Sequence, residues 1–279
     1  MAGFNSPPEV AKSLLGVCET KSRLPFTKMA WLGVLAGVYI GFGAHLATTI
    51  GTGIGVLGLK KLAMGGVFSV GLMLVVIAGS ELFTGNCLLG CGFAHGKVKL
   101  GGVLRNWSVV YVANLIGSIF LAWMIASQSG LLDGAIGGTA LKIAYGKVAS
   151  VQQGLNHNWA YFFRAIGCNW LVCLAVYMAL AAKTIVGKVW AIFFPIMAFV
   201  SSGFEHCVAN MYFIPAGIYA KSFSKAVAAS GLSQAQLNMI NWGSMWSQNL
   251  IFVTLGNIVG GALFVAIGYW YVYLRENKA

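Results

Sequence analysis

The chain has 279 residues, of which 58% are hydrophobic and only 9% charged, with a net charge of +12. A mean hydropathy of +0.80, with a charged fraction far below the roughly 25% of soluble domains, excludes an ordinary soluble enzyme or binding module and predicts a polytopic membrane protein. No Lys/Arg block is long enough to point to nucleic acid, so the basic excess reads as topology signal, lipid contact and attraction for an anionic solute.

In chain order, Ser6-Pro7-Pro8-Glu9 reads as a capping box with proline at the first helical position. Val10, Leu14, Val17 and Cys18 then recur at helical spacing. This predicts a short amphipathic helix within residues 1–28, on the cytoplasmic face, lying in the interface or packed under the bundle. The polar start and the long first hydrophobic run argue against a cleaved signal peptide. Hydrophobic runs follow at about 29–57, 62–93, 107–127, 159–182, 189–220 and 249–274. A span needs about 20 residues, so residues 29–274 are expected to hold six transmembrane helices, with a cytoplasmic tail at 275–279.

The second and fifth runs are too long for one span, and each carries an acid. Gly79-Ser80-Glu81-Leu82-Phe83-Thr84-Gly85-Asn86 and Gly203-Phe204-Glu205-His206-Cys207-Val208-Ala209-Asn210 share the pattern Gly-x-Glu-x4-Asn. Hydrocarbon cannot solvate these groups, so each motif predicts irregular backbone between two half-helices, facing a bundle interior or a water-filled path. A second pair of motifs repeats in the same order: Asn106-x7-Asn114 in the third span and Asn249-x7-Asn257 in the sixth. Three spans per half is an odd number, so the second copy enters the membrane in the opposite sense. The expected fold is all-α, with two inverted three-helix repeats, broken helices 2 and 5, and a solute site near the midplane. Eleven Lys/Arg fall in the N-terminus, loops 2–3 and 4–5 and the C-terminus, against six in the alternate loops. The positive-inside rule then puts both termini in the cytoplasm.

His206 falls at the second break, where an imidazole can offer an N–H to an anion or exchange a proton with it. A lone core histidine is more often a satisfied hydrogen-bonder, but its place in the break favours a pore role. Thr84, in the copied motif, is its natural partner. The competing reading of Thr84 is a bond back to its own helix. Leu82 and Phe83 before Thr84, and Phe199 and Val200 before the second break, could form dry constrictions that oppose ions. Two bare carboxylates would repel an anion, so Glu81 and Glu205 are read as structural, accepting hydrogen bonds from backbone N–H groups at the half-helix N-termini. Asn86, Asn210, Asn114, Asn257 and Asn169 are read mainly as groups that satisfy broken backbone. The six cysteines form no Cys-x-x-Cys pair, and His45, His95 and His157 have no acid or cysteine at metal-ligand spacing. No metal, cofactor or disulfide framework is expected, and no phosphate-binding loop for ATP is present.

Taken together, Gly79–Asn86, Cys168–Ala175, Gly203–Met211 and Val253–Gly260 resemble the formate/nitrite transporter family over about residues 27–275. The resemblance implies an aquaporin-like fold and a homopentamer in the membrane. Each protomer would carry its own pore for a small monovalent anion, often coupled to a proton. It places the family's central His and Thr on His206 and Thr84, its constrictions near Leu82, Phe83 and Phe199, and its span 4 pore asparagine on Asn169. The family's vestibule lysine, counted back from Asn169, lands on Gln153. The nearest lysine is Lys147, which is taken as the vestibule charge. Residues 79–85 and 168–175 are closer to nitrite members and 209–218 to formate members, which ranks nitrite first and formate (or lactate or hydrosulfide) behind. A neutral-solute channel of the aquaporin type would need Asn-Pro-Ala motifs and a filter arginine at the breaks, and neither break has them. A membrane enzyme would need a nucleophile–base pair or a metal cluster, and none is found.

Overall fold

The computed structural model describes residues 3–149 and 158–277; Gln153, His157 and Lys278 lie outside the described residues. The helices are α1 (Pro7–Ser22), α2 (Phe26–Gly51) and α3 (Leu57–Gly79), α4 (Phe83–Asn86), α5 (Leu89–His95), α6 (Leu100–Gln128), α7 (Ala135–Val148), α8 (Trp159–Ala181) and α9 (Ile185–Ser202), α10 (Cys207–Ala220), α11 (Ser224–Ser230), α12 (Gln234–Met239) and α13 (Trp242–Tyr273). Six of them (α2, α3, α6, α8, α9 and α13) are long and apolar enough to cross a membrane. The second span breaks between α3 and α4–α5, and the fifth between α9 and α10, at the two acid-bearing motifs.

α1 starts as its sequence requires. The Ser6 N–H and hydroxyl both donate to Glu9 Oε2, at 2.6 and 2.7 Å. Its apolar stripe does not lie free in an interface. Val10, Leu14 and Cys18 are buried under the bundle, and the Tyr177 hydroxyl on α8 donates to the Pro7 carbonyl at 2.9 Å. Burial pushes the Cys18 thiol up to about 11, so at neutral pH it packs as a small apolar group. All six cysteines are free and buried.

Glycines set the spacing of the spans. A methyl group at Gly117 on α6 would collide with the Val34 carbonyl oxygen of α2, and one at Gly260 on α13 with the Ile166 carbonyl oxygen of α8. The backbones therefore touch at matched places in the two halves, as close-packed membrane helices with small residues do.

Two features depart from the hydropathy reading. α6 and α13 each begin about seven residues before the predicted run, because their first turns carry Arg105 and Asn106, or Ser247 and Gln248. The stretch between spans 3 and 4 is also not simply a loop: it contains α7, rich in Gly and Ala and too short to cross a bilayer. α7 packs beside α10 and α11.

Candidate functional site

Both breaks are built alike. Each opens at a glycine in the left-handed region, Gly79 with φ 91° and Gly203 with φ 77°, which a side chain would strain. The residues that cap the following half-helices, Leu82 and His206, are extended.

The polar groups around the breaks satisfy one another in two matching sets. In the first, Lys21 Nζ pairs with Glu81 Oε1 at 2.6 Å. Asn86 Nδ2 donates to Glu81 Oε2 (2.7 Å) and to Asn106 Oδ1 (2.8 Å), and Asn106 Nδ2 donates to the Lys21 carbonyl (3.2 Å). In the second, Lys147 Nζ pairs with Glu205 Oε1 at 2.9 Å. Asn210 Nδ2 donates to Glu205 Oε2 (2.7 Å) and Asn249 Oδ1 (2.8 Å), and Asn249 Nδ2 donates to the Lys147 carbonyl (2.8 Å). The repeat therefore extends back to α1 and α7, each of which carries in its last turn the lysine that meets a break.

This geometry corrects the expected role of the acids. Glu81 and Glu205 do not accept from the half-helix backbone; each accepts from a lysine and from asparagine side chains, one for Glu81 and two for Glu205. The exposed N–H groups go elsewhere. Phe83 N–H donates to Asn114 Oδ1 and Cys207 N–H to Asn257 Oδ1, each at 2.9 Å. Asn114 Nδ2 also binds the Gly33 and Glu81 carbonyls, and Asn257 Nδ2 those of Ala165 and Glu205. An amide side chain can donate and accept together, which a carboxylate cannot. Lys147, expected as a vestibule charge, is held in an ion pair with its side chain only 16% exposed, and its Nζ lies 5.7 Å from the Phe213 ring centre.

The two breaks differ at their tips. At the second, the Ala209 N–H donates to His206 Nδ1 at 3.0 Å. Nδ1 is thus an acceptor, and the neutral imidazole carries its hydrogen on Nε2. His206 Nε2 lies 2.9 Å from Thr84 Oγ1, both residues being buried. The hydroxyl accepts from the imidazole, and its own hydrogen remains available to a third group. No back-bond from Thr84 to its own helix competes. A second proton on the ring would have to take Nδ1 and break the bond to Ala209. Phe199 lies nearly parallel to the imidazole, 5.8 Å centre to centre and 20° apart, and meets Phe68 edge-on.

The remaining predicted residues separate. Leu82 lines a cavity of about 380 Å³ under α1, together with Leu14, Lys21, Ser80, Glu81 and Asn86. Phe83 points elsewhere. Its ring packs on Trp107 and Tyr111 and borders a different cavity with Ser108 and Thr254. Asn169 is fully buried and donates to the Thr84 carbonyl (3.2 Å) and the Asn257 carbonyl (2.6 Å), so it ties span 4 to the first break and to span 6. The sequence reading missed Lys21 as the partner of Glu81. The signal was present: Lys21 precedes Glu81 by 60 residues and Lys147 precedes Glu205 by 58, each after a short amphipathic stripe. Among the described residues no cluster of His, Cys, Asp or Glu could hold a metal.

A family model described as formate/nitrite transporter matches residues 8–271. The chain belongs to the formate/nitrite transporter family. Among relatives of this family, a probable formate transporter of Methanothermobacter thermautotrophicus is 45% identical over 295 residues, covering 99% of both chains. Formate channel FocA of Escherichia coli K12 is 36% identical over 265 residues, 90% of this chain and 88% of that one. A solved structure described as a pentameric formate channel with formate bound superposes with a TM-score of 0.79 at 40% identity, covering 90% of this chain and 98% of the other. As a formate/nitrite transporter family member with six apolar crossing helices, the protein is a multi-pass membrane transporter.

Proposed function

We propose that residues 29–274 form a homopentameric formate channel of the cell membrane, with one pore per protomer, both termini in the cytoplasm and transport stimulated by a proton gradient. The observation that carries the mechanism is the buried contact of His206 Nε2 with Thr84 Oγ1 at the meeting of the two breaks, where the imidazole N–H holds the hydroxyl and leaves its hydrogen for a solute. The names of the relatives favour formate over nitrite, the substrate ranked first from short stretches of sequence.

A basic chain raises the local concentration of a small anion at its mouths. Lys21 and Lys147 are each neutralised by an acid, so neither traps the anion. Leu82 on one side and Phe199 on the other strip water from it. Desolvation disfavours the charged form of a carboxylate and raises its affinity for a proton. The Thr84 hydroxyl, held by the Nε2–H of His206, then donates its own hydrogen to the weak acid at the midpoint. In this scheme His206 remains neutral and acts as a donor, because protonating it costs the bond from Ala209. A strong-acid anion such as chloride gains nothing from the proton step.

The test is uptake of formate, nitrite and chloride into proteoliposomes with and without an inward proton gradient. Gradient-stimulated formate uptake with little chloride is expected. Equal, gradient-insensitive flux of all three would sink the weak-acid mechanism. Nitrite uptake well above formate would overturn the substrate assignment.

A further inference from the structure

Four hydrogen bonds, each 2.9 Å, close a ring through the centre of the protein. His206 Nε2 meets Thr84 Oγ1. Thr84 follows Phe83, whose N–H is held by Asn114 on α6. One turn before Asn114, the Tyr111 hydroxyl meets Thr254 Oγ1 on α13. One turn after Thr254, Asn257 holds the N–H of Cys207, and Cys207 follows His206. Tyr111 and Thr254 are matching residues of the repeat, each three places before the asparagine that caps its own half-helix. Their bond joins the two halves directly.

We infer that Tyr111 and Thr254 are a positioning pair that holds the two half-helix ends in register, so that Thr84 and His206 meet. The inference rests on the reading of Thr84 and His206 as the solute-contacting pair. Neither hydroxyl lies on the cavity that contains Lys21 and Leu82. Both border the other cavity, behind Phe83, whose ring also stands edge-on to Tyr111 at 5.0 Å. An effect of either residue on solute therefore passes through the ring or through the neighbours that Tyr111 and Thr254 touch, Phe83 and Cys207. The four bonds are joined through backbone and helix turns, so opening the link opposite His206 loosens the hold of α6 on α13. Nothing else in the ring crosses between the repeats except the Thr84–His206 contact itself.

The variants are Tyr111→Phe, Thr254→Val and the conservative Thr254→Ser, in the full chain in proteoliposomes. Two readouts are taken: initial uptake of formate relative to the larger acetate, and the ¹⁵N spectrum of the His206 ring, assigned against His206→Asn. Tyr111→Phe and Thr254→Val should lower formate uptake roughly 3- to 10-fold, the span of one neutral hydrogen bond. They should also narrow the formate-to-acetate preference and blur the single Nε2–H tautomer. Thr254→Ser should stay within about twofold of wild type, because its hydroxyl remains. In a Thr84→Val background, Tyr111→Phe should add almost nothing, since the two changes break one linked unit. The inference is overturned if Tyr111→Phe keeps the wild-type preference and the wild-type His206 spectrum, or if its loss is the same with Thr84→Val present. A wild-type protein that carries no formate would count against the functional reading instead, and the His206 spectrum would still decide the positioning role.

Discussion

After Glu81 the chain continues with Leu82, Phe83 and Thr84; after Glu205 it continues with His206, Cys207 and Val208. Around these tips the lysine, the acid, the capping asparagine and the two further asparagines are the same, and their bonds match apart from one long extra contact, Asn249 Nδ2 to Glu205 Oε2 at 3.5 Å. The contrast separates two requirements. Broken backbone at membrane depth must be satisfied wherever it occurs, so the frame is kept in both halves. A solute needs one midpoint, so the imidazole is present at only one tip and the hydroxyl that faces it at only the other.

The sharpest way to break the comparison is to strip one frame. Lys147→Met leaves Glu205 buried without its cation and should cost about 3–5 kcal/mol. Lys21→Met should cost less, because Lys21 is 26% exposed against 16% for Lys147. Thermal unfolding of the detergent-solubilised protein measures both, and equal melting shifts would contradict the argument from burial. Next comes His206→Leu, which copies the first tip into the second. Leaving the buried Thr84 hydroxyl without its donor costs about 1–3 kcal/mol and should slow formate uptake roughly 5- to 150-fold. Uptake within twofold of wild type would show that the imidazole is part of the frame only.

Asn114→Ala and Asn257→Ala each orphan a buried N–H, at a cost of about 1–3 kcal/mol. Hydrogen exchange should quicken at Phe83 in the first variant and at Cys207 in the second. Exchange that quickens equally at both amides in both variants would mean the frames are one unit rather than two.

The smallest effect lies at α1, the counterpart of α7. The Ser6 hydroxyl, and then the Ser6 amide, hold the Glu9 carboxyl below the usual carboxylate range. Because the folded value is the lower one, this stabilisation is complete above the unfolded pKa of about 4.3 and is lost as the pH falls through the lowered value. Proteolytic nicking ahead of α1 should rise only in that acid window. A rise already near neutral pH would show that the cap does not secure the helix.

Glu81 and Glu205 were legible as break markers because an acid inside an apolar run has few physical excuses. His206 was legible for the same reason, and Thr84 through the copied motif. Lys147 was found, but its partner was not, since the ion pair spans 58 residues. α7 was invisible to hydropathy because a short Gly- and Ala-rich helix has neither the length nor the apolarity of a span. Phe83 was expected beside Leu82, yet neighbours at the start of a half-helix point to different sides, and Trp107 and Tyr111 take its ring.

The sequence by itself determined the membrane class, the six crossings, the two inverted halves and where each is broken, because bilayer thickness and the cost of polar groups in hydrocarbon act on the chain locally. Only the tertiary structure decided which group satisfies which. Asn114 and not Glu81 holds the Phe83 amide, Lys147 is spent on Glu205, and Tyr111 finds Thr254 across 143 residues. Those choices depend on the distance and direction of donors brought together by packing, which no local pattern in the chain encodes.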